Sequence, residues 1–332
     1  MRAAIYGLAG PDLSPSERAF FAEADPWGFI LFARNIDTPV RLKRLTADLR
    51  ESVGRDAPIL IDQEGGRVAR LRGPHWREWP PVREEIEGAR DEGEVLERLR
   101  LRYRLIAHEL REVGIDVDCA PLLDVPQRNA HPIIGNRALG DDGVQVALRG
   151  REVARALLEG GVLPVIKHLP GHGRALDDSH EHLPTVTAPA EVLRSDFLPF
   201  RALADQALGM TAHIVFTALD PEAPATLSRK CIDLIRHEIG FDGLLMTDDL
   251  SMHALKGPMR VRAEGSLAAG CDLVLHCNGD PHEMAAVAEA TPALTAAALT
   301  RSERALALRR AAPFDPLEAE ARYRALATGR AA

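Results

Sequence analysis

The sequence has no excess of basic residues and no long apolar segment. Its 49 Asp and Glu outnumber its 41 Lys and Arg, which gives a formal net charge of −8 at pH 7. No local block of Lys and Arg offsets this balance, so the composition argues against a nucleic-acid partner. No stretch approaches the roughly 20 consecutive apolar residues of a membrane span, and we expect no membrane partner either.

A secretory signal and closely spaced cysteines are also missing. In the N-terminal segment "MRAAIYGLAGPDLSP", Pro11 and Asp12 interrupt the apolar run before the hydrophobic core of a signal peptide could form. The four cysteines lack C-x-x-C spacing; they are Cys119, Cys231, Cys271 and Cys277. We interpret them as buried thiols in a reducing compartment, so the sequence predicts a cytoplasmic protein.

Eight short apolar runs alternate with helical patterns along the chain. The runs are "AAIYGL", "GFILF", "PILID", "GIDVDCAP", "LPVIKH", "GMTAHIVF", "GLLMTDD" and "DLVLH". Ser14 and Thr38, each followed by a proline, are predicted N-caps of two helices. Further helical patterns cover 92–113, 144–160, 189–207, 228–239 and 282–291. The alternation predicts an α/β fold.

Eight buried strands joined by helices predict a single closed (β/α)₈ barrel of the TIM type. An open, doubly wound sheet is the alternative, but the chain has neither G-x-G-x-x-G after its first strand nor G-x-x-x-x-G-K-[ST]. No linker or repeat divides it, so we assign 1–332 to one catalytic barrel with a helical tail from about 293. Segments 73–90 and 167–187 are long connections, which are often functional.

Polar residues follow most of the predicted strands, at the end where such a barrel builds its active site. They are Asp62, Lys167, His168, His213, Asp248, Asp249 and His276. A single Asp after a strand usually caps a helix or binds loop amides, and we interpret Asp249 in this way. His213 and His276 fit rim histidines that are hydrogen-bonded within the protein. Lys167 ends an apolar strand and needs a partner or ligand for its charge.

The segment "KHLPGHGRALDDSHEHLP", residues 167–184, concentrates titratable groups after the fifth strand. Asp178 lies two residues before His180, close enough for its carboxylate to orient the imidazole and raise its basicity. Gly171 and Gly173 would let the loop move. The alternative is a solvated surface loop without a chemical role.

A zinc site is a competing hypothesis for the same segment. His168 and His172 have H-x₃-H spacing, and His180 and His182 are near them in sequence. Barrel metallohydrolases usually carry an H-x-H pair after their first strand, and "AAIYGLAGPD" has none. The cysteines also lie away from this segment, so zinc is the weaker hypothesis.

Several motifs together resemble one family. They are "GFILFARNI", "ILIDQEGGRVARL", "IIGNRALGDD", "VIKHLPGHG" with "DSH", "MTAHIVFTALDPEAPATLS" and "GLLMTDDLSM". In this order, over most of the chain, they resemble the bacterial single-domain β-N-acetylhexosaminidases of glycoside hydrolase family 3, which act in peptidoglycan recycling. The K-H-[FL]-P-G-H-G, D-S-H and T-D-D-L-S-M motifs are highly specific in combination. Leu169, where Phe is commoner, and "RALGDD" are departures that concern substrate preference rather than the reaction.

The resemblance implies Asp248 as the nucleophile, His180 as the general acid/base, and Asp178 as the carboxylate that partners this histidine. The sugar-binding residues that it implies are Asp62, Arg70, Arg137, Lys167 and His168. It implies neither a metal nor an organic cofactor. Trp76 and Trp79, in the long loop after the third strand, are candidate sugar or peptide platforms, although hydrophobic anchoring is the more usual role of tryptophan.

The implied function is a retaining exo-β-N-acetylglucosaminidase that removes terminal β-linked GlcNAc from cytoplasmic muropeptides, the GlcNAc-1,6-anhydroMurNAc-peptides, through a covalent glycosyl-Asp intermediate. The expected partner is therefore a small-molecule amino-sugar glycoside or muropeptide. A phosphorylase that uses the same residues is the first alternative, because a histidine repels phosphate less than a carboxylate would. A catalytically idle sugar-binding barrel and a metallohydrolase are the others.

Overall fold

Eight parallel strands close into a barrel in the computed structural model, which describes residues 1–127, 130–179 and 181–328. The strands are β1 (Arg2–Tyr6), β2 (Pro26–Leu31), β3 (Ile59–Ile61), β4 (Val117–Asp118), β5 (Leu163–Leu169), β6 (Leu208–Thr211), β7 (Leu244–Asp249) and β8 (Leu273–His276). Each strand pairs with its neighbours in sequence, and β1 pairs with β8 to close the ring. The predicted (β/α)₈ barrel is confirmed, and the open sheet is wrong.

Helices connect the strands and cover the outside of the barrel. They are α1 (Pro15–Ala24), α2 (Pro39–Ser52), α3 (Val82–Glu87), α4 (Glu92–Glu112), α5 (Gly143–Glu159), α6 (Ala190–Asp196), α7 (Leu198–Ala202), α8 (Arg229–Asp233), α9 (Met259–Ala269), α10 (Pro281–Ala290), α11 (Ala296–Leu306) and α12 (Pro316–Ala327). The helix predicted over 189–207 is divided into α6 and α7, because Pro199 cannot donate a backbone hydrogen bond inside a helix. α8 continues as one π-helical segment, Leu234–Ile239.

Two helices were not predicted from the sequence: the short α3, which lies within the predicted long connection 73–90, and α9. The buried residues of α9 are Met259, Ala263, Ser266 and Ala269. Three of these four side chains are small, so the segment shows little of the apolar periodicity by which amphipathic helices are recognised.

The two predicted N-caps are confirmed. Ser14 accepts a hydrogen bond from the backbone N–H of Glu17, and the Glu17 carboxylate accepts the N–H of Ser14 at 3.0 Å. This reciprocal pair satisfies backbone donors that the first turn of α1 leaves without helical partners. Thr38 accepts the N–H of Arg41 in the same way at the start of α2.

Both faces of the barrel strands are apolar, which explains their continuous apolar sequences. In β3, Leu60 belongs to a cluster inside the barrel to which every strand contributes, whereas Ile59 and Ile61 pack with the surrounding helices. Successive side chains of a strand point to opposite faces, and a parallel barrel covered by helices buries both of them.

The two C-terminal helices pack against different parts of the molecule. The indole N–H of Trp27, at the start of β2, donates to Ser302 of α11 at 2.7 Å, so α11 covers the amino-terminal end of the barrel. α12 packs on α4, and its Tyr323 hydroxyl donates to Glu85 of α3 at 2.8 Å. The assignment of 1–332 to one domain stays a prediction.

A buried ion pair fixes the long loop after β3. Arg102 is fully buried and forms an ion pair with Glu85. Arg102 also donates to the carbonyl oxygens of Glu64 and Pro80 at 2.7 and 2.8 Å. The ring of Trp79 lies 5.5 Å from this guanidinium and contacts Tyr323 edge-on, so Trp79 is a hydrophobic anchor rather than a ligand platform.

Two further observations concern the cysteines and membrane-spanning helices. All four cysteines are buried free thiols. Over the described ranges, no helix combines the length and the apolar character needed to cross a bilayer.

We expect Glu85→Ala to lower the free energy of unfolding by about 3–5 kcal/mol, because it leaves the buried guanidinium of Arg102 without its carboxylate. Glu87→Ala, on the same helix, removes an exposed pair with Arg83 and should cost at most about 0.5 kcal/mol. Denaturant titration followed by circular dichroism measures both values. Equal losses in the two variants would contradict a stabilising role of the Arg102 pair.

Candidate active site

A cavity of about 430 Å³ opens at the carboxyl-terminal end of the barrel. Its lining includes six of the predicted site residues, which are Asp62, Arg70, Arg137, Lys167, His168 and Asp248. Asp178 lies on the loop after β5 and is partly buried, while His180 lies outside the described residues. The residues that follow the predicted strands thus meet at one end of the barrel.

Lys167 is the most deeply buried cation of the cavity. Its Nζ lies 2.9 Å from Asp62 Oδ1 and 2.7 Å from Glu64 Oε1, and the residue is 2% exposed. Burial opposes its charge, but attraction to the two carboxylates outweighs burial and raises the pKa of Lys167 above its usual value. The expectation that Lys167 needs a partner for its charge is confirmed.

Two arginines extend this pairing into a chain of alternating charges. Arg70 donates to Asp62 Oδ2 at 3.0 Å, and Arg137 binds both oxygens of Glu64 at 2.9 and 2.8 Å. Although burial acts in the opposite direction, the neighbouring cations lower the pKa of Asp62 and of Glu64. We call Asp62, Glu64, Arg70, Arg137 and Lys167 the charge cluster. Fully ionised, it carries a net charge of +1 and presents both hydrogen-bond donors and acceptors.

His168 is oriented by a carboxylate that the sequence did not identify. Asp124 is fully buried, and its Oδ2 lies 2.7 Å from His168 Nδ1. Because an ionised carboxylate only accepts, Nδ1 carries the proton. The attraction of His168 outweighs burial and lowers the pKa of Asp124. The other ring nitrogen, Nε2, lies 4.0 Å from Asp248 Oδ2.

Asp248 and Asp249 end β7 and have different surroundings. Asp248 is 19% exposed, and its Oδ1 accepts the backbone N–H of Asp249 at 2.8 Å. Asp249 Oδ1 accepts the backbone N–H groups of Ser251 and Cys277 at 2.9 and 3.1 Å. The interpretation of Asp249 as a ligand of loop amides is confirmed, and Asp248 is the carboxylate of this pair that faces His168.

The loop after β5 is tied to the same carboxylate as His168. Asp124 Oδ1 accepts the backbone N–H of His172 at 2.6 Å, and His172 Nε2 lies 3.1 Å from Ser179 Oγ. A Cβ on Gly173 would collide with the backbone of Val125, so this glycine permits close packing here. The loop is therefore held at His172 and Ser179, on both sides of residues 173–178.

His213 and His276 are hydrogen-bonded within the protein, as predicted. His213 Nε2 donates to the Asp249 carbonyl at 3.0 Å, and its Nδ1 lies 2.7 Å from Thr226 Oγ1. His276 Nε2 lies 3.0 Å from Glu283 Oε2. Neither histidine lines the cavity.

Sequence reasoning missed Glu64 and Asp124. Glu64 is two residues after Asp62 within the same motif, "DQEGG", so its proximity to Lys167 could have been suspected. Asp124 follows β4 closely, where only the more distant Arg137 of the same connection was proposed. Since every strand of such a barrel delivers its following loop to the same end, the position of Asp124 soon after β4 was the available signal.

Two histidines of the zinc hypothesis, His168 and His172, have protein partners, while His180 lies outside the described residues. The rings of His168 and His172 are 5.6 Å apart and point to Asp124 and Ser179, and His182 is exposed. Within 1–127, 130–179 and 181–328, no three His, Cys, Asp or Glu side chains are grouped as metal ligands.

Comparisons with known proteins agree on one family. The family model described as glycosyl hydrolase family 3 N terminal domain matches residues 14–309. A beta-hexosaminidase of Bordetella avium is 33% identical over 326 residues, covering 96% of this chain and 92% of that protein. One of Pseudomonas aeruginosa is 37% identical over 281 residues, covering 82% of each chain.

Solved structures give the same result. NagZ from Neisseria gonorrhoeae in complex with N-trifluoroacetyl-D-glucosamine superposes with a TM-score of 0.85 at 28% identity, covering 98% of this chain and 96% of that one. A glycoside hydrolase family 3 beta-N-acetylglucosaminidase from Paenibacillus gives 0.80 at 30% identity and covers 99% of this chain and 62% of that one.

We expect His172 to stay neutral well below pH 6. Burial, together with the neighbouring His168, lowers its pKa from 6.5 to about 4. The unfolded chain therefore binds this proton more readily, so stability falls as the pH drops from 6.5 towards 4, by about 2 kcal/mol at pH 5.

Histidine-selective NMR, with His172→Gln to assign the resonance, measures this pKa directly. Denaturant titration at pH 7.5 and pH 5 should show a smaller acid-side loss of stability in the variant than in the wild type. A His172 resonance that titrates near pH 6.5 would contradict the prediction.

Proposed function

Because the chain belongs to glycoside hydrolase family 3 and is a glycoside hydrolase acting as a beta-hexosaminidase, we propose that it is a retaining exo-β-N-acetylglucosaminidase with Asp248 as its nucleophile. One observation carries this proposal. Asp248 lies in the cavity opposite His168, at the end of β7, while the D-S-H loop begins from β5 of the same barrel.

The charge cluster is proposed to bind the terminal sugar. Its carboxylates can accept hydrogen bonds from sugar hydroxyls, and Arg70, Arg137 and Lys167 can donate to hydroxyl or acetamido oxygens. The ion pairs within the cluster hold these long side chains in place before the sugar arrives, so less side-chain entropy is lost on binding. His168 completes the site, with Asp124 fixing its ring.

In the first chemical step, an Asp248 oxygen attacks the anomeric carbon of the β-linked sugar, and the bond from this carbon to the leaving oxygen breaks. His180 gives its proton to the leaving oxygen. The result is an α-linked glycosyl-Asp248 ester and a neutral leaving group. We assign His180 this role from its position in the D-S-H motif, with Asp178 as the carboxylate that orients it.

In the second step, the now neutral His180 takes a proton from water, whose oxygen attacks the anomeric carbon from the β face. The ester bond to Asp248 breaks and its carboxylate is restored. Two inversions give overall retention. A histidine suits both halves of this cycle because its ordinary pKa lies near neutrality.

The natural substrate is proposed to be a cytoplasmic muropeptide with a terminal β-linked GlcNAc. The beta-hexosaminidase relatives and the NagZ complex with N-trifluoroacetyl-D-glucosamine support an N-acetylated amino sugar. The free thiols fit a reducing compartment. A role in peptidoglycan recycling follows from this substrate.

We expect Asp248→Gly to release nitrophenol from 4-nitrophenyl β-N-acetylglucosaminide at least about 1,000-fold more slowly, because it removes the nucleophile. Azide should partly restore turnover and give the α-glycosyl azide by a single inversion. With His180→Gly, azide should attack the glycosyl-Asp248 ester and give the β-glycosyl azide. Asp242→Asn, which changes an exposed carboxylate paired with Arg301, should keep wild-type activity.

The same assay tests the alternatives. A sugar phosphate formed when inorganic phosphate is added to the wild type would identify a phosphorylase. Binding of the sugar without turnover would identify a catalytically idle protein. Full activity in Asp248→Gly would refute the assigned nucleophile.

A second prediction concerns Asp178, which is proposed to raise the basicity of His180. Asp178→Asn should lower kcat/KM about 10- to 100-fold for a GlcNAc disaccharide, whose alkoxide leaving group needs a proton. The loss should be smaller for the nitrophenyl glycoside, since nitrophenolate leaves without protonation. Asp177→Asn, at the neighbouring exposed position, is the matched control. Equal losses on both substrates would contradict a role through the acid.

A further inference from the structure

Arg67 lies at the mouth of the cavity, outside the charge cluster. Its side chain is exposed and lines the cavity together with Val68 and Ile133. Its Nη2 donates to the carbonyl oxygen of Pro132 at 3.0 Å and also to that of Ile133. These two bonds keep a long, flexible side chain at the rim.

The charge of Arg67 is compensated in a different way from the charges of the other cations in the cavity. Every cation of the charge cluster pairs with a carboxylate of the same cluster. In the part of the chain that the structure describes, the hydrogen bonds of Arg67 go to backbone carbonyls. A carbonyl dipole offsets a guanidinium charge less than an ionised carboxylate does.

The surroundings of Arg67 favour an added negative charge. Partial burial and repulsion from Arg137 lower its pKa, and attraction to Glu64 and Asp178 only partly offsets them. An anion placed at the rim would therefore reduce an existing electrostatic cost as well as gain hydrogen bonds. A guanidinium presents parallel N–H donors that match the two oxygens of a carboxylate.

We propose that Arg67 binds a carboxylate carried by the leaving group and so makes the enzyme prefer acidic over neutral aglycones. The inference rests on the proposed function, in which the terminal sugar occupies the floor at the charge cluster. The leaving group then extends towards the opening, where Arg67 lies. Muramic acid supplies a carboxylate on its lactyl ether, and an attached peptide supplies one further out.

Two other roles would involve the same contacts. Arg67 could serve only to hold the carbonyls of Pro132 and Ile133, which would make it a structural residue. It could also act through the field that it exerts on Asp178. Neither role depends on the charge of the leaving group, so substrate charge separates them from the proposal.

The test compares three disaccharides with terminal β-1,4-linked GlcNAc. Their leaving groups are MurNAc with a free lactyl carboxylate, the same sugar as its neutral methyl amide, and the same sugar amide-linked to L-alanine. The kcat/KM ratio of acid to methyl amide is measured for wild type, Arg67→Gln, Arg67→Lys and Arg72→Gln. Arg72 is the matched control, since it lies on the same loop and pairs with Glu78.

We expect the wild type to prefer the acid about 10-fold, as a partly exposed charge-assisted pair allows. Arg67→Gln should bring the ratio close to one, Arg67→Lys should keep part of it, and Arg72→Gln should leave it unchanged. The wild-type ratio should also fall as salt is added. If the wild type prefers the L-alanine compound to the methyl amide, the bound carboxylate lies on the peptide. If it shows no such preference, the bound carboxylate lies on the lactyl ether.

An acid-to-amide ratio of kcat/KM that Arg67→Gln leaves unchanged would overturn the proposal. Equal losses of kcat/KM on both substrates would give this result and would indicate a structural role or one through Asp178. Failure of the wild type to hydrolyse the neutral amide and the nitrophenyl glycoside would instead refute the proposed function on which this inference rests.

Discussion

The buried ammonium of Lys167 is the constraint on which the cavity depends. It stands at the end of β5, where it is almost wholly removed from water, and a charge in such a place is tolerated only with close countercharges. Asp62 and Glu64 provide them. Two carboxylates around one ammonium would leave excess negative charge, and Arg70 and Arg137 offset it. One buried cation thus accounts for the composition of the whole charge cluster.

The pairing of buried charges also extends beyond the cavity, because Glu64 connects it to Arg102 through its main chain. Glu64 takes part by its carboxylate in the cluster and by its carbonyl in the bond from Arg102. Arg102 pairs with Glu85, to which Tyr323 of α12 also donates. A continuous series of polar contacts therefore joins the cavity end of the barrel to the C-terminal helix. Within the loop after β3, these contacts fix Glu64, Trp79 and Pro80.

The sequence predicted the barrel and the end that carries the site, because both follow from regular patterns. Alternating apolar runs and helices specify the fold, and the carboxyl ends of all the strands meet at one end of the barrel whatever the details of packing. The motifs added the assignments of Asp248, His180 and Asp178, which remain predictions. Glu64 and Asp124 were missed since their importance lies in contacts with Lys167 and His168, which are remote in sequence. Helix α9 was missed because small residues form its buried face.

The apolar interior below the cavity has a consequence for the order of events in a turnover. Side chains from all eight strands fill the barrel, and α11 covers its amino-terminal end. Within the described residues, the cavity is therefore closed towards the amino-terminal end of the barrel. In the proposed reaction, a sugar bound at its floor lies behind its own leaving group, which must depart before water can reach the anomeric carbon. The proposed mechanism therefore predicts that the aglycone leaves first and the sugar last.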